Sequence, residues 1–137
     1  YTRCAYESQF VDSNFHFVLN MKTGNVTRRE SEILIGKCNW IGNRTSITKG
    51  SKTKDFSIIC AGSLMNKDYT QNEENFIMLG GSPAKVLTSG LKRIFSTEIE
   101  KDIIYFFNNN PKANNYNLTS ELSDDFKDIH YWFEHMM

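Results

Sequence analysis

The sequence lacks an excess of charge of either sign and any long apolar run, and each shortage excludes a class of protein. Its 16 basic residues balance 16 acidic ones, so the composition favours neither nucleic acid nor an anionic membrane surface as a partner. No apolar stretch approaches the roughly 20 residues of a membrane-spanning helix. The first residues do not have the pattern of a signal peptide. We therefore expect no nucleic-acid partner and no membrane span.

Cysteine is also scarce. The three cysteines, Cys4, Cys38 and Cys60, are odd in number and widely spaced. This pattern is typical of free thiols in a reducing cytoplasm and not of a disulfide framework or a metal site. The sequence thus predicts a cytoplasmic protein without a bound metal.

A six-residue repeat is the strongest positive signal and occupies residues 33–68. Five of its six repeated positions are bulky and apolar, and the positions two residues earlier are mostly small or polar. The repeated series is Ile35, Ile41, Ile47, Thr53, Ile59 and Met65. The earlier series is Ile33, Asn39, Thr45, Ser51, Ser57 and Ser63. A period of six fits neither a helix nor simple strand alternation, but it is the repeat of a parallel β-helix, whose coils must stack to bury a core.

Three motifs in this register resemble the C-terminal signature of the hexapeptide-repeat acyltransferases, in their sugar O-acetyltransferase branch. They are IGKCNWIG at 35–42, CAGS at 60–63 and GGSPAKV at 80–86, and the resemblance covers residues 12–87. It implies a mainly β fold, the left-handed parallel β-helix, with C-terminal α-helices. The left hand is implied by the resemblance alone, because the general rule for parallel crossovers predicts the right-handed form.

The chain divides into two predicted domains. Residues 1–87 are predicted to form the β-helix, lacking upstream coils and interrupted by a protruding loop at about 18–32. Cys4, Phe10 and His16 are also six apart, which indicates an earlier coil. Residues 88–137 are predicted to form a helical extension.

Two helices are expected in that extension. The first is predicted at 97–107, where Thr97 and Glu100 have the spacing of a capping box. The second is predicted at about 123–135. The apolar stripes of both helices are interpreted as packing surfaces.

The resemblance implies transfer of an acetyl group from acetyl-CoA to a saccharide hydroxyl, in bacterial polysaccharide biosynthesis. His16 is the candidate general base, because it lies 27 residues before Asn43 of the Trp-Ile-Gly-Asn motif, where the family has its catalytic histidine. Imidazole can exchange a proton near neutral pH. Asp12 and Asn14 stand in an acidic-x-acidic-x-His pattern and are candidates to orient the ring. The alternative is an ordinary surface histidine.

The resemblance also implies a groove for the acetyl-CoA donor along the coil edges. The cofactor-binding candidates are Trp40, Asn43, Ala61, Asn66, Lys67 and Lys85. The two lysines suit phosphate. Asn66 stands where the family often has Thr or Ser, and Thr88 stands where it has a basic residue, for which Lys92 or Arg93 is the expected substitute.

The family further implies a homotrimer, in which His16 of one chain faces the cofactor groove of the next. Two alternatives stay open. One is an N-acetyltransferase of an amino sugar, because the acceptor-binding coils are expected upstream. The other is a non-catalytic β-helix scaffold, which the coil at 53–55 favours because it lacks the usual apolar-Gly pair.

Overall fold

The computed structural model describes residues 1–118, which contain ten short strands and one helix. The strands are β1 (Arg3–Cys4), β2 (Gln9–Val11), β3 (Val18–Leu19), β4 (Val26–Thr27), β5 (Trp40–Ile41), β6 (Ser46–Thr48), β7 (Ile58–Ile59), β8 (Leu64–Met65), β9 (Met78–Gly81) and β10 (Ala84–Thr88). The helix is α1 (Thr97–Asn109). The described part of the chain is therefore mainly β, as the sequence predicts.

Three faces of parallel strands wind around a common axis. Face 1 has the order β1-β5-β7-β9-β10, in which β10 pairs with β9 antiparallel. Face 2 has the order β2-β6-β8. Face 3 consists of parallel bridges that join Leu34 to Lys52 and Lys52 to Asp68. On face 1, Trp40 pairs with Ile58, one 18-residue coil later, and face 2 has the same spacing. Three hexapeptides thus make one coil, and the predicted parallel β-helix is confirmed.

The axis is filled by the predicted six-residue series. Ile41, Ile47 and Met65 are fully buried, Ile59 is 1% exposed and Thr53 is 4% exposed. Apolar side chains stacked in this way remove their surface from water, which is the main favourable term in folding. The earlier coil is also confirmed on two faces, because β1 pairs with β5 and β2 with β6.

The small polar residues of the earlier series are buried at the corners between faces. The Thr45, Ser57 and Ser63 hydroxyls each donate to the carbonyl oxygen three residues before, at 2.8, 2.7 and 2.6 Å. Each bond satisfies a corner carbonyl that no strand pairing reaches. This explains why short hydroxyl side chains recur two positions before the core residue.

Two corners of the coil flank face 2. Corner 1 joins face 1 to face 2 and comprises residues 5–8, 42–45 and 60–63. Corner 2 joins face 2 to face 3 and comprises residues 49–51 and 66–67. These positions follow from the strand bounds and pairings.

A hairpin arm, residues 13–31, leaves the first coil at corner 2. Its strands β3 and β4 pair antiparallel, and Ser13 forms an antiparallel bridge to Glu30 at its base. The coil resumes on face 3 at Leu34, which pairs with Lys52. The stretch predicted as a loop at about 18–32 is therefore more ordered than expected, because its short strands satisfy each other's backbone groups.

By compactness, the first unit of the chain is Tyr1–Arg93, and the second begins at Ile94. The predicted division at residues 87 and 88 stays a prediction. In the second unit, α1 confirms the first expected helix, but Ser96 and not Thr97 is the N-cap, because its side chain accepts from the Ile99 N–H at 3.2 Å. The second expected helix, at 123–135, lies outside the described residues. Within residues 1–118, no helix is long and apolar enough to cross a membrane.

Coil stacking predicts a strong effect of Gly42→Ala. An added Cβ would lie 2.5 Å from the Ala61 nitrogen and 2.9 Å from the Ile59 carbonyl oxygen, and backbone atoms cannot rotate away. We expect the free energy of unfolding to fall by about 3 kcal/mol, the upper end for overpacking, in urea denaturation followed by circular dichroism.

The control for this change is Gly24→Ala in the turn of the hairpin arm. Gly24 has a φ of 76° and no atom within 4 Å of the added Cβ, so only backbone strain of about 1 kcal/mol is expected. Equal losses for the two variants would contradict the tight stacking at corner 1.

Candidate functional site

His16 lies at the base of the hairpin arm, outside the coil. The chain turns through Phe15, whose φ is 61° and whose N–H donates to the Ser13 hydroxyl oxygen at 3.0 Å. The His16 N–H donates to the Asn14 carbonyl at 2.7 Å. The imidazole is exposed, and it has no hydrogen-bond partner among residues 1–118. The ring is thus open to an incoming molecule.

Asp12 and Asn14 do not orient this ring by a hydrogen bond in the described structure. The Asp12 carbonyl accepts from the Ser31 N–H at 3.0 Å, and the Asn14 N–H donates to the Arg29 carbonyl at 2.8 Å. Both contacts close the base of the arm. The extended geometry that would place Asp12, Asn14 and His16 on one side is interrupted by the turn at Phe15.

The arm presents apolar side chains to solvent on both sides of His16. Phe15 is 69% exposed and Phe17 is 65% exposed. The Arg29 guanidinium carbon lies 4.8 Å from the centre of the Phe17 ring, and Arg29 also donates to the Phe15 carbonyl at 3.4 Å. The other exposed apolar residues of the arm are Val18, Leu19, Met21 and Val26. Sequence reasoning missed this surface, although the run Phe15-His16-Phe17-Val18-Leu19 is its signal.

Three cofactor candidates line corner 1 and the adjoining strand of face 1. Asn43 and Ala61 occupy the same position in successive coils, because the Gly62 N–H donates to the Asn43 carbonyl at 2.9 Å. Trp40 precedes them on β5, pointing away from the axis, and is 45% exposed. The structure therefore brings Trp40, Asn43 and Ala61 together along one edge.

The other cofactor candidates lie in the later coils of the β-helix. Asn66 and Lys67 are exposed at corner 2, and Lys85 is exposed on β10, opposite Gly80 of β9. Tyr69 connects them: its hydroxyl accepts from the Asn66 N–H at 3.4 Å and donates to the Ala84 carbonyl at 3.0 Å.

Tyr69 is a site residue that sequence reasoning missed. It is only 6% exposed, and burial raises the pKa of its phenol, so the neutral hydroxyl persists. The sequence gives little indication of this role, because Tyr69 stands in a polar connector that lacks the six-residue period. The structure gives it the role of holding the Asn66 corner against the β9–β10 hairpin.

His16 and the Trp40 edge lie at different corners of the same chain. The arm rests on corner 2, where the Gly50 N–H donates to the Ser31 carbonyl at 3.2 Å. The three residues of β6 separate corner 2 from corner 1, about 10 Å of extended chain. The candidates therefore form two groups and not one cluster.

The suggested substitutes for a basic residue at Thr88 have different surroundings. Lys92 is half-buried and donates to the Arg93 carbonyl at 3.0 Å, and burial lowers its pKa to about 8. Burial likewise raises the pKa of the Cys38 thiol. Lys92 keeps its charge at neutral pH but is less open to solvent than Lys67 or Lys85. No group of three His, Cys, Asp or Glu side chains in the described part of the chain is placed to hold a metal ion.

No protein-family model and no curated protein matches the chain. Several solved structures do, among them two polysialic acid acetyltransferases. That of the polySia specific acetyltransferase NeuO matches with a TM-score of 0.57 and 22% identity, over 66% of this chain and 40% of that one. That of the polysialic acid O-acetyltransferase OatWY matches with a TM-score of 0.58 and 20% identity, over 77% and 51%. The chain thus spans about half or less of either protein. The likeness shows the shared fold, the left-handed β-helix, and confirms that part of the fold implied by the sequence. It does not bear on the expected C-terminal helices.

The geometry around Tyr69 predicts a cost for Tyr69→Phe. The change leaves the buried Ala84 carbonyl without its hydroxyl donor, and we expect the free energy of unfolding to fall by about 1 kcal/mol. Chemical denaturation measures it. The exposed Tyr6→Phe is the matched control and should change stability by less than about 0.5 kcal/mol. Identical behaviour of the two variants would contradict the bridging role of Tyr69.

Proposed function

We propose that the protein is an acetyl-CoA-dependent O-acetyltransferase that acetylates a hydroxyl of a saccharide, with His16 as the general base. The observation that carries the proposal is the exposed His16 imidazole, which the hairpin arm holds outside the coil. His16 projects from a β-helix shared with the structures of the polySia specific acetyltransferase NeuO and the polysialic acid O-acetyltransferase OatWY. A saccharide acceptor for this chain is part of the proposal.

The chemistry follows from what an imidazole can do beside a thioester. The His16 ring takes the proton of the acceptor hydroxyl as the oxygen attacks the thioester carbonyl. The C–S bond then breaks, and the imidazolium returns the proton to the departing coenzyme A thiolate. Backbone N–H groups of the coil edge are the available donors to the oxyanion that forms between these steps.

The donor would lie along the edge formed by Trp40, Asn43 and Ala61. The small Ala61 side chain leaves that edge shallow, and the half-buried Asn43 offers polar groups beside it. The Lys85 ammonium would contact phosphate as a point charge. Lys67 lies at corner 2, so its ammonium would reach the donor from a neighbouring subunit. The described residues thus fit an extended thioester cofactor whose acyl end lies near Trp40.

A second copy of the chain is needed to complete this site, because His16 and the Trp40 edge occupy different corners. We propose a homotrimer in which the arm of one subunit reaches corner 1 of the next. The exposed apolar residues of the arm support this, since Phe15 and Phe17 would then leave water. A closed ring of three such heterologous contacts uses every arm and every groove once.

The role of the base predicts the effect of His16→Ala. Acetyl transfer to a saccharide hydroxyl should fall by about 10²–10⁴-fold, the usual contribution of a general base. Coenzyme A affinity in calorimetry should stay unchanged, because the ring contacts the acceptor. The variant Lys22→Ala, in the turn of the same arm, is the control and should keep full activity.

Two outcomes would oppose the proposal. Intact transfer by His16→Ala would falsify the role of the base. No measurable binding of coenzyme A by the unmodified protein would instead favour a scaffold. Parallel assays with matched hydroxyl and amine acceptors separate O-acetylation from N-acetylation.

The two-subunit site predicts complementation between inactive variants. His16→Ala removes the base, and Ala61→Trp fills the corner 1 groove of the neighbouring subunit. After the two are unfolded, mixed in equal amounts and refolded, about a quarter of the sites in a cyclic trimer should have both parts intact. Activity near that fraction is expected. No recovery on mixing, with trimers verified by sedimentation, would place both groups in one subunit's site.

A further inference from the structure

A basic cleft lies on the outer side of face 1, at the same edge as Trp40. It has a volume of about 320 Å³ and is lined by Arg3, Cys4, Ala5, Trp40 and Arg93. These five residues include two guanidinium groups and no carboxylate. The chain as a whole is electrically neutral, and the cleft holds two of its 16 basic side chains.

Strand pairing sets the positions of two lining residues. Arg3 of β1 and Trp40 of β5 are register partners in a parallel pair, so their side chains leave face 1 on the same side, from backbones about 4.8 Å apart. The Arg3 N–H donates to the Asn39 carbonyl at 2.9 Å. The Arg3 guanidinium also donates to the Tyr1 hydroxyl at 2.5 Å, which limits its rotation.

Arg93 reaches the cleft from the segment that follows β10. That segment is attached to the coil by the Leu91 N–H, which donates to the Phe76 carbonyl at 3.0 Å. Arg3 and Arg93 are far apart in sequence, and the fold brings both beside the exposed face of Trp40. Without the structure, nothing connects them.

The chemistry of this cleft is that of an anion site with an apolar wall. A guanidinium pairs with a carboxylate or phosphate through two parallel hydrogen bonds, and an indole offers a large flat apolar surface. A ligand suited to all three groups has an anionic group attached to a compact ring or chain that can lie on the indole. An acidic saccharide has this character, and so does a nucleotide phosphate.

We propose that the basic cleft binds the anionic group of a substrate through Arg3 and Arg93, with the body of that substrate against Trp40. The saccharide carboxylate is the favoured source, because the cleft adjoins the edge where the acyl group would lie. This inference rests on the proposed function for the identity of the substrate. The binding itself does not depend on turnover.

The test measures binding of three probes to the full chain and to its Arg3→Gln and Arg93→Gln variants. The probes are a sialic acid oligomer, the same oligomer with its carboxylates reduced to alcohols, and coenzyme A. We expect each variant to weaken the acidic oligomer at least about tenfold, the loss of one charge-assisted interaction. Affinities for the reduced oligomer and coenzyme A should stay unchanged. Lys52→Gln, which removes a positive charge on face 3, is the matched control.

The outcomes are distinguishable from those that test catalysis. Weaker coenzyme A binding in the arginine variants, absent with 3′-dephospho-coenzyme A, would support the anion site and assign it to the donor phosphate. Arginine variants that bind all probes like Lys52→Gln would overturn the proposal, even if His16 proves to be the base. Carboxylate-dependent binding without acetyl transfer would support the cleft and refute the proposed activity.

Discussion

The stacking of one 18-residue coil on the next is the constraint on which the rest of the structure depends. Ile41, Ile47, Ile59 and Met65 are buried along the axis, and each coil donates backbone hydrogen bonds to its neighbour. At corner 1 the stack is so close that Gly42 has no room for a methyl group against Ala61. A flat, narrow edge results, and the row of Asn43 and Ala61 is a direct consequence of it.

The corners show how local strain is offset by this stack. Glu7, Arg44 and Gly62 occupy equivalent positions at corner 1, and all have positive φ, at 60°, 54° and 72°. For a non-glycine residue this conformation costs about 1 kcal/mol. It persists because the coils above and below fix the turn, and the Glu7 carboxylate pairs with the Arg44 guanidinium at 2.6 Å. The buried corner hydroxyls also stabilise the turns, because they donate to the carbonyls that the turns leave without a backbone partner.

The hairpin arm is the largest departure from the coil within residues 1–87, and it holds the candidate base. A strict six-residue series would turn His16 toward the axis after Cys4 and Phe10. Instead the chain leaves at corner 2, turns at Phe15, and returns to face 3 only at Leu34. The imidazole is thereby released to solvent and separated from the Trp40 edge. The proposed subunit contact, the apolar arm and the division of the candidate residues all have this common origin.

The coil and its register are predictable from the residues alone, because stacked side chains impose a period that is visible without coordinates. Ile41, Ile47 and Met65 could be assigned to the axis for that reason, and Asn43 and Ala61 to one edge. The segments that leave or cross that period are visible only in the folded chain. In the fold, the arm forms a hairpin, and the Tyr69 hydroxyl donates to the Ala84 carbonyl. Arg93 lies beside Arg3 and Trp40. The residues in these contacts are separated by stretches of irregular length. No local sequence pattern therefore predicts the contacts.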